Sequence, residues 1–128
     1  MNARRLLVPA AVLAGGLLGS GTRAGISLRF PTAAGTFPTS TFLVNLTGSL
    51  LLGLYLARRQ RAVTARSSVQ FWAIGALGSF TTFSAFSVET FQLVDAGSNA
   101  LAAMYATASL LGGLTAALLG DRLGSVGR

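Results

Sequence analysis

The chain has 128 residues, of which 52% are apolar and only 10% charged. A soluble domain carries about 25% charged residues, and so small a globule leaves much of its surface wet. There is no Cys and no His, which excludes disulfide scaffolds, zinc and haem sites of the usual kind, thiol catalysis and Ser-His-Asp catalysis.

The charges leave four uncharged stretches, Leu6–Thr22, Phe30–Ala57, Ser67–Val88 and Ala96–Gly120. A bilayer-spanning helix needs about 20 residues, with a range of roughly 17–25. The expectation is an all-α membrane protein of four transmembrane helices, forming one domain over residues 1–128. The net charge of +7 comes wholly from Arg. A nucleic-acid binder needs a basic face on a soluble module. Here the arginines flank apolar runs, where they act as topology signals and interfacial anchors, so no nucleic-acid partner is expected.

In chain order, the first span is expected at about Leu6–Ile26. Arg4 and Arg5 ahead of an apolar run resemble a signal peptide, but more membrane follows instead of a soluble domain. Gly15 and Gly19 are four apart, as are Gly21 and Gly25, and small residues at that spacing let helices approach closely. A connector, Arg29–Pro38, carries Pro31 and Pro38. The second span runs about Thr39–Ala57 and a basic loop, Arg58 to Arg66, follows it. The third span begins near Val69, is interrupted at Gly75–Thr82 and resumes to about Val94. Asp95–Asn99 is a tight loop. The fourth span covers about Ala100–Leu119, and Gly120–Arg128 is a short polar tail.

Four spans put Arg4, Arg5, Arg58, Arg59, Arg61, Arg66, Arg122 and Arg128 on one side and Arg23 and Arg29 on the other. That bias predicts cytoplasmic termini by the positive-inside rule. An enzyme needs titratable groups in a pocket. The acids are Glu89, Asp95 and Asp121, and only Glu89 falls within an apolar span, so no enzyme is expected.

The segment Gly75-Ala76-Leu77-Gly78-Ser79-Phe80-Thr81-Thr82-Phe83-Ser84-Ala85-Phe86 carries the chemistry. Glycines and hydroxyls near mid-span favour a break in the helix, and such backbone survives at membrane depth only where protein buries it or it lines a cavity. Freed carbonyls from Gly78 to Thr81 could hold a hard monovalent cation. A continuous helix with a small-residue packing face is the alternative. Phe80, Phe83 and Phe86 recur every three residues. Ring edges are electropositive and can face a small anion, or the rings form a packing stripe. Asn45, deep in the second span, offers two N–H donors to an anion or ties helices together. Glu89 is a functional group by default at that depth, or a solvated helix end. Tyr105 and Ser109 share a face of the fourth span.

Gly78-Ser79-Phe80-Thr81-Thr82-Phe83-Ser84-Ala85-Phe86 with Glu89 closely resembles the signature of the Fluc/CrcB fluoride channels. Thr36 to Gly48, with Val44-Asn45 at its core, is similar to that family's second-helix pattern, and Gly15-Gly16…Gly19…Arg23 to its start. The resemblance covers all four spans in order. It implies an antiparallel dimer with two fluoride pores and a structural, untransported sodium ion at the dimer centre. The sodium-binding carbonyls match Gly78 and Thr81. The paired phenylalanines match Phe83 and Phe86, the pore asparagine Asn45 and the vestibule arginine Arg23. Thr82, Glu89, Tyr105 and Ser109 match polar positions along the pore. Gly113 departs from the pattern, standing where some members carry a hydroxyl.

What the resemblance implies in function is passive fluoride export that lowers cytoplasmic toxicity. The setting is the plasma or inner membrane, among lipid. The partner is a second copy, or an oppositely oriented paralogue as the arginine bias suggests. Fluoride holds its water strongly, so a pore must replace that water with donors and ring edges, without a fixed positive charge that would trap the ion. The rival reading is a small multidrug-type proton-coupled exporter, which needs a central carboxylate in the first span. None is present there.

Overall fold

The computed structural model describes residues 3–59 and 66–126. Arg61 and Arg128 of the predicted basic side lie outside the described residues. Among those described, α1 is Ala3–Arg29 and α2 is Thr39–Arg59. The third span is composite. α3 (Arg66–Val69), a π-helical stretch (Gln70–Leu77) and α4 (Gly78–Phe80) follow one another directly, and α5 (Phe83–Asp95) completes it. α6 is Asn99–Ser125. Four segments are long and apolar enough to cross a membrane: Leu6–Arg29, Thr39–Arg59, Ser67–Asp95 and Asn99–Ser125.

The helices pack as two close pairs. α2 runs along α6, and α1 runs along the π-helical stretch and α4. Glycines set both seams. A Cβ on Gly15 would strike the Phe71 carbonyl oxygen and come within 2.8 Å of Ala76 N, and one on Gly19 would strike the Ala76 carbonyl. Across the seam, a Cβ on Gly75 would lie 2.7 Å from the Val12 carbonyl oxygen. In the other pair, Gly53 faces the Ala117 carbonyl, Gly120 the Leu50 carbonyl, and Gly124 the Leu54 carbonyl. In lipid no hydrophobic force separates helix from helix, so backbone-to-backbone contact of this kind drives association.

Two sequence expectations change here. Gly21 and Gly25 meet nothing within 4 Å, so their spacing marks no seam among the described residues. The expected polar tail from Gly120 is instead helix to Ser125, because Gly120 and Gly124 pack on α2 and do not end α6. The π-helical stretch had no signal in the pattern; it coincides with the closest approach of α1.

α5 ends on Gly97, whose φ of +74° suits a residue without Cβ. Gly97 N–H donates to the Val94 carbonyl at 2.9 Å and Ser98 N–H to the Leu93 carbonyl at 2.9 Å. That doubled bond is the Schellman arrangement, and it turns the chain directly into α6.

The interior is small. Leu93, Ala102 and Tyr105 are its buried centre, with Phe37, Phe42, Phe86 and Leu101 packed around them. Phe37 meets Phe42 and Tyr105 edge-on, each at 5.3 Å between centroids. Elsewhere large side chains point outward, among them Leu13, Leu17, Leu110 and Leu114, each at least 60% exposed. A soluble monomer rarely exposes so much contiguous apolar surface.

Gly120→Leu should therefore force α2 and α6 apart, with a stability loss of about 1–3 kcal/mol as for other overpacked cores. Gly25→Ala should be neutral. Thermal unfolding in detergent, followed by size exclusion, distinguishes the two; equal stability of both variants would remove the seam.

Candidate functional site

Between α4 and α5 the backbone leaves the helix for two residues. Thr81 has φ −73°, ψ 156° and Thr82 φ −146°, ψ 121°, both extended. Extended residues in an apolar setting expose N–H and C=O groups that need partners. Asn45 supplies them for Thr82. Its Nδ2 donates to the Thr82 carbonyl at 3.0 Å, and its Oδ1 accepts from the Thr82 N–H at 2.8 Å. One turn along α2, Gly48 leaves room for the Thr81 side chain, since a Cβ there would strike Thr81 Cγ2 and lie 3.2 Å from Phe80 Cδ1. The Asn45…Gly48 face of α2 is thus the seat of the extended pair. Asn45 ties helices together, and among the described residues only one of its two N–H donors is engaged.

Thr82 is also the N-cap of α5. Its Oγ1 accepts from Ala85 N–H at 3.1 Å and lies 3.1 Å from Ser84 Oγ. The hydroxyl oxygen expected to serve the pore is thus engaged in capping, because the first N–H groups of a helix have no partner inside it. The cap sets the direction of α5 and so places Phe83 and Phe86. Their ring centroids are 5.6 Å apart with planes tilted by 43°. Phe83 is 75% exposed, and Phe86 lies 5.4 Å from the Tyr105 ring.

A cavity of about 260 Å³ opens at this point. Asn45, Thr82, Phe83, Phe86 and Ser109 all line it, with Thr81 beside them. Ser109 Oγ is buried without a hydrogen-bond partner among the described residues. The structure thus brings six of the sequence-derived residues, Thr81 included, to one place.

Glu89 and Tyr105 form the next level. Tyr105 OH donates to Glu89 Oε2 at 2.7 Å, and Thr41 Oγ1 donates to Glu89 Oε1 at 2.6 Å. Three elements, α2, α5 and α6, meet on one carboxylate. Thr41 and Tyr105 are both buried. Glu89 also lines a larger cavity of about 670 Å³ beside the Pro31–Thr36 loop. Thr41 was not singled out in the sequence, yet it lies four residues before Asn45 and so on the same helix face.

Arg23 stands apart from the cavity. Its Nε donates to the Ser79 carbonyl at 3.2 Å. It reaches the carbonyl end of α4, where a positive charge suits unpaired carbonyls. Gly78 belongs to the same turn. The N–H four residues on, that of Thr82, is committed to Asn45, so the Gly78 carbonyl lacks its helical donor. Thr81 N–H and Oγ1 both return to the Leu77 carbonyl, at 3.1 and 3.2 Å. Among the described residues no group of three or more carboxylates or other side-chain metal ligands exists.

The chain is similar over most of its length to known proteins. Residues 10–121 match the family described as CrcB-like protein, Camphor Resistance (CrcB). A protein of Streptomyces avermitilis named Fluoride-specific ion channel FluC 3 is 45% identical over 118 residues, 91% of this chain. The chain spans 58% of that relative's own length. A Thermus thermophilus protein named Fluoride-specific ion channel FluC is 43% identical over 114 residues, 88% of this chain and 91% of the relative. The Deinococcus radiodurans protein of the same name is 43% identical over 113 residues, 87% of this chain and 90% of the relative. Together with four membrane-length apolar helices, a match running from the first span into the fourth makes this chain a multi-pass membrane protein that belongs to the CrcB-like family.

Proposed function

We propose that the chain is a fluoride-specific channel. The observation that carries this is the cavity where the tilted Phe83–Phe86 pair, the spare Asn45 N–H and the unpartnered Ser109 hydroxyl converge inside apolar spans. Fluoride surrenders its water only to comparable donors. Here it meets hydrogen-bond donors and electropositive ring edges, with no lining cation to trap it. The relatives' shared name supports the same ion. The Glu89 carboxylate accepts from two hydroxyls, which spreads its charge and lessens repulsion of a passing anion. Export is passive: the negative-inside potential is worth about 2.3 kcal/mol per charge per 100 mV. The membrane is the cell's plasma or inner membrane.

The conducting unit in this reading is an antiparallel dimer, with the extended Thr81–Thr82 pair at mid-membrane depth. The carbonyls of Gly78 and Thr81 from both copies would hold a structural sodium ion. The freed Gly78 carbonyl supports that fit, and an all-carbonyl set suits a hard monovalent cation. The ion would pin the two copies together at the break.

Phe83→Ile and Phe86→Ile should each lower fluoride efflux from proteoliposomes by about tenfold or more while the protein stays folded, because a ring edge lost from a dehydrated path has no substitute. Asn45→Ala should abolish flux and also destabilise, by about 2 kcal/mol for two lost hydrogen bonds at the break. Normal flux in all three would sink the pore assignment.

Exchange of Na⁺ for a larger monovalent cation throughout purification should lower flux, and unchanged flux would remove the central ion. The excess of Arg on one predicted side should fix a single orientation with cytoplasmic termini when the chain is expressed alone. Flux would then depend on an oppositely oriented paralogue. A terminal reporter read from both sides checks this, and an even split would point to a homodimer.

A further inference from the structure

We propose that Ser49 of α2 is a further contact for the permeating anion, supplying a hydroxyl at the level where α6 carries only Gly113. The inference rests on the fluoride-channel reading.

Hydroxyls in apolar helices usually bond back to their own helix. Ser20, Thr22, Ser87, Thr90 and Thr115 all do so, each to the carbonyl four residues earlier, at 2.6–2.9 Å. Among the described residues Thr47, Ser79 and Thr107 make no such bond, nor do Ser49 and Ser109. Both line the cavity that holds Asn45, Phe83 and Phe86. The Ser109 Oγ, buried and unpaired in an apolar span, is costly unless something occupies the cavity, and Ser49 lines the same space.

Register makes the placement specific. Asn45 and Ser49 are four apart on α2 and share a face; Ser109 and Gly113 are four apart on α6. These two helices pack along each other over most of their length. A Cβ built on Gly113 would lie 3.7 Å from Ser49 Oγ, an ordinary contact distance. Ser49 therefore stands over the bare backbone of α6. A donor that α6 lacks at this level is provided across the seam from α2, and the polar lining supplied by Ser109 continues on Ser49.

The experiment measures fluoride efflux from liposomes for the wild type, Ser49→Ala, Ser49→Thr, and Ser49→Ala combined with Gly113→Ser, each first checked by size exclusion. Where oppositely oriented copies are required, the paralogue is co-reconstituted unchanged. Ser49→Ala should fall about tenfold, the loss for one hydrogen bond to a charged species. Ser49→Thr keeps the hydroxyl and should stay near wild type. The double variant should recover flux, since 3.7 Å leaves room for a hydroxyl on α6 to take over. Wild-type flux in Ser49→Ala overturns the proposal, as does a loss that Gly113→Ser does not restore. Absence of fluoride flux in the wild type would instead overturn the channel reading itself.

Discussion

The Asn45 side chain holding both backbone groups of Thr82 is the interaction on which the site depends. An extended residue amid apolar helices carries a donor and an acceptor that water cannot reach. One primary amide answers both with matched geometry. Once Thr82 is held, its hydroxyl is positioned to cap α5, and the capped helix fixes where Phe83 and Phe86 stand. The same clamp withdraws the Thr82 N–H from the Gly78 carbonyl. A single side chain on α2 thereby decides the course of the third span on both sides of its interruption.

The rest of the fold brings α2 to that position. Gly53, Gly120 and Gly124 press α2 and α6 together, backbone against backbone. Gly15, Gly19 and Gly75 do the same for α1 and the first half of the third span. Two close pairs result, joined through the clamp. The Glu89 carboxylate takes Thr41 from α2 and Tyr105 from α6, so it links the same elements that the glycines align. Polar groups in this protein serve first as structural ties. Among the described residues, the spare Asn45 N–H and the unpartnered Ser109 hydroxyl meet at one cavity. A passage for a strongly hydrated anion needs that division. Donors already satisfied keep the walls still, and in the proposed pore the free ones would receive the ion.

The sequence by itself determined the class of the protein. Four uncharged runs of membrane length, with Arg residues at their ends, admit little but a helical membrane protein. It also placed an interruption within Gly75–Thr82, which the structure narrows to Thr81 and Thr82, and named Asn45, Phe83, Phe86 and Ser109, because polar and aromatic groups stand out in an apolar background. Gly15 and Gly19 were legible as a seam for the same reason. Tertiary structure alone decided what each group does. Spacing could not separate Gly15 and Gly19, which meet a helix, from Gly21 and Gly25, which do not, since that depends on which face the neighbour occupies. It could not show that the Thr82 oxygen serves a cap, that Arg23 binds the Ser79 carbonyl, or that Thr41 and Ser49 belong with Asn45. Hydrogen-bond partners in a membrane protein lie across helix seams, between residues such as Thr41 and Glu89 that are 48 positions apart. A linear pattern records which groups need a partner, and only packing assigns one.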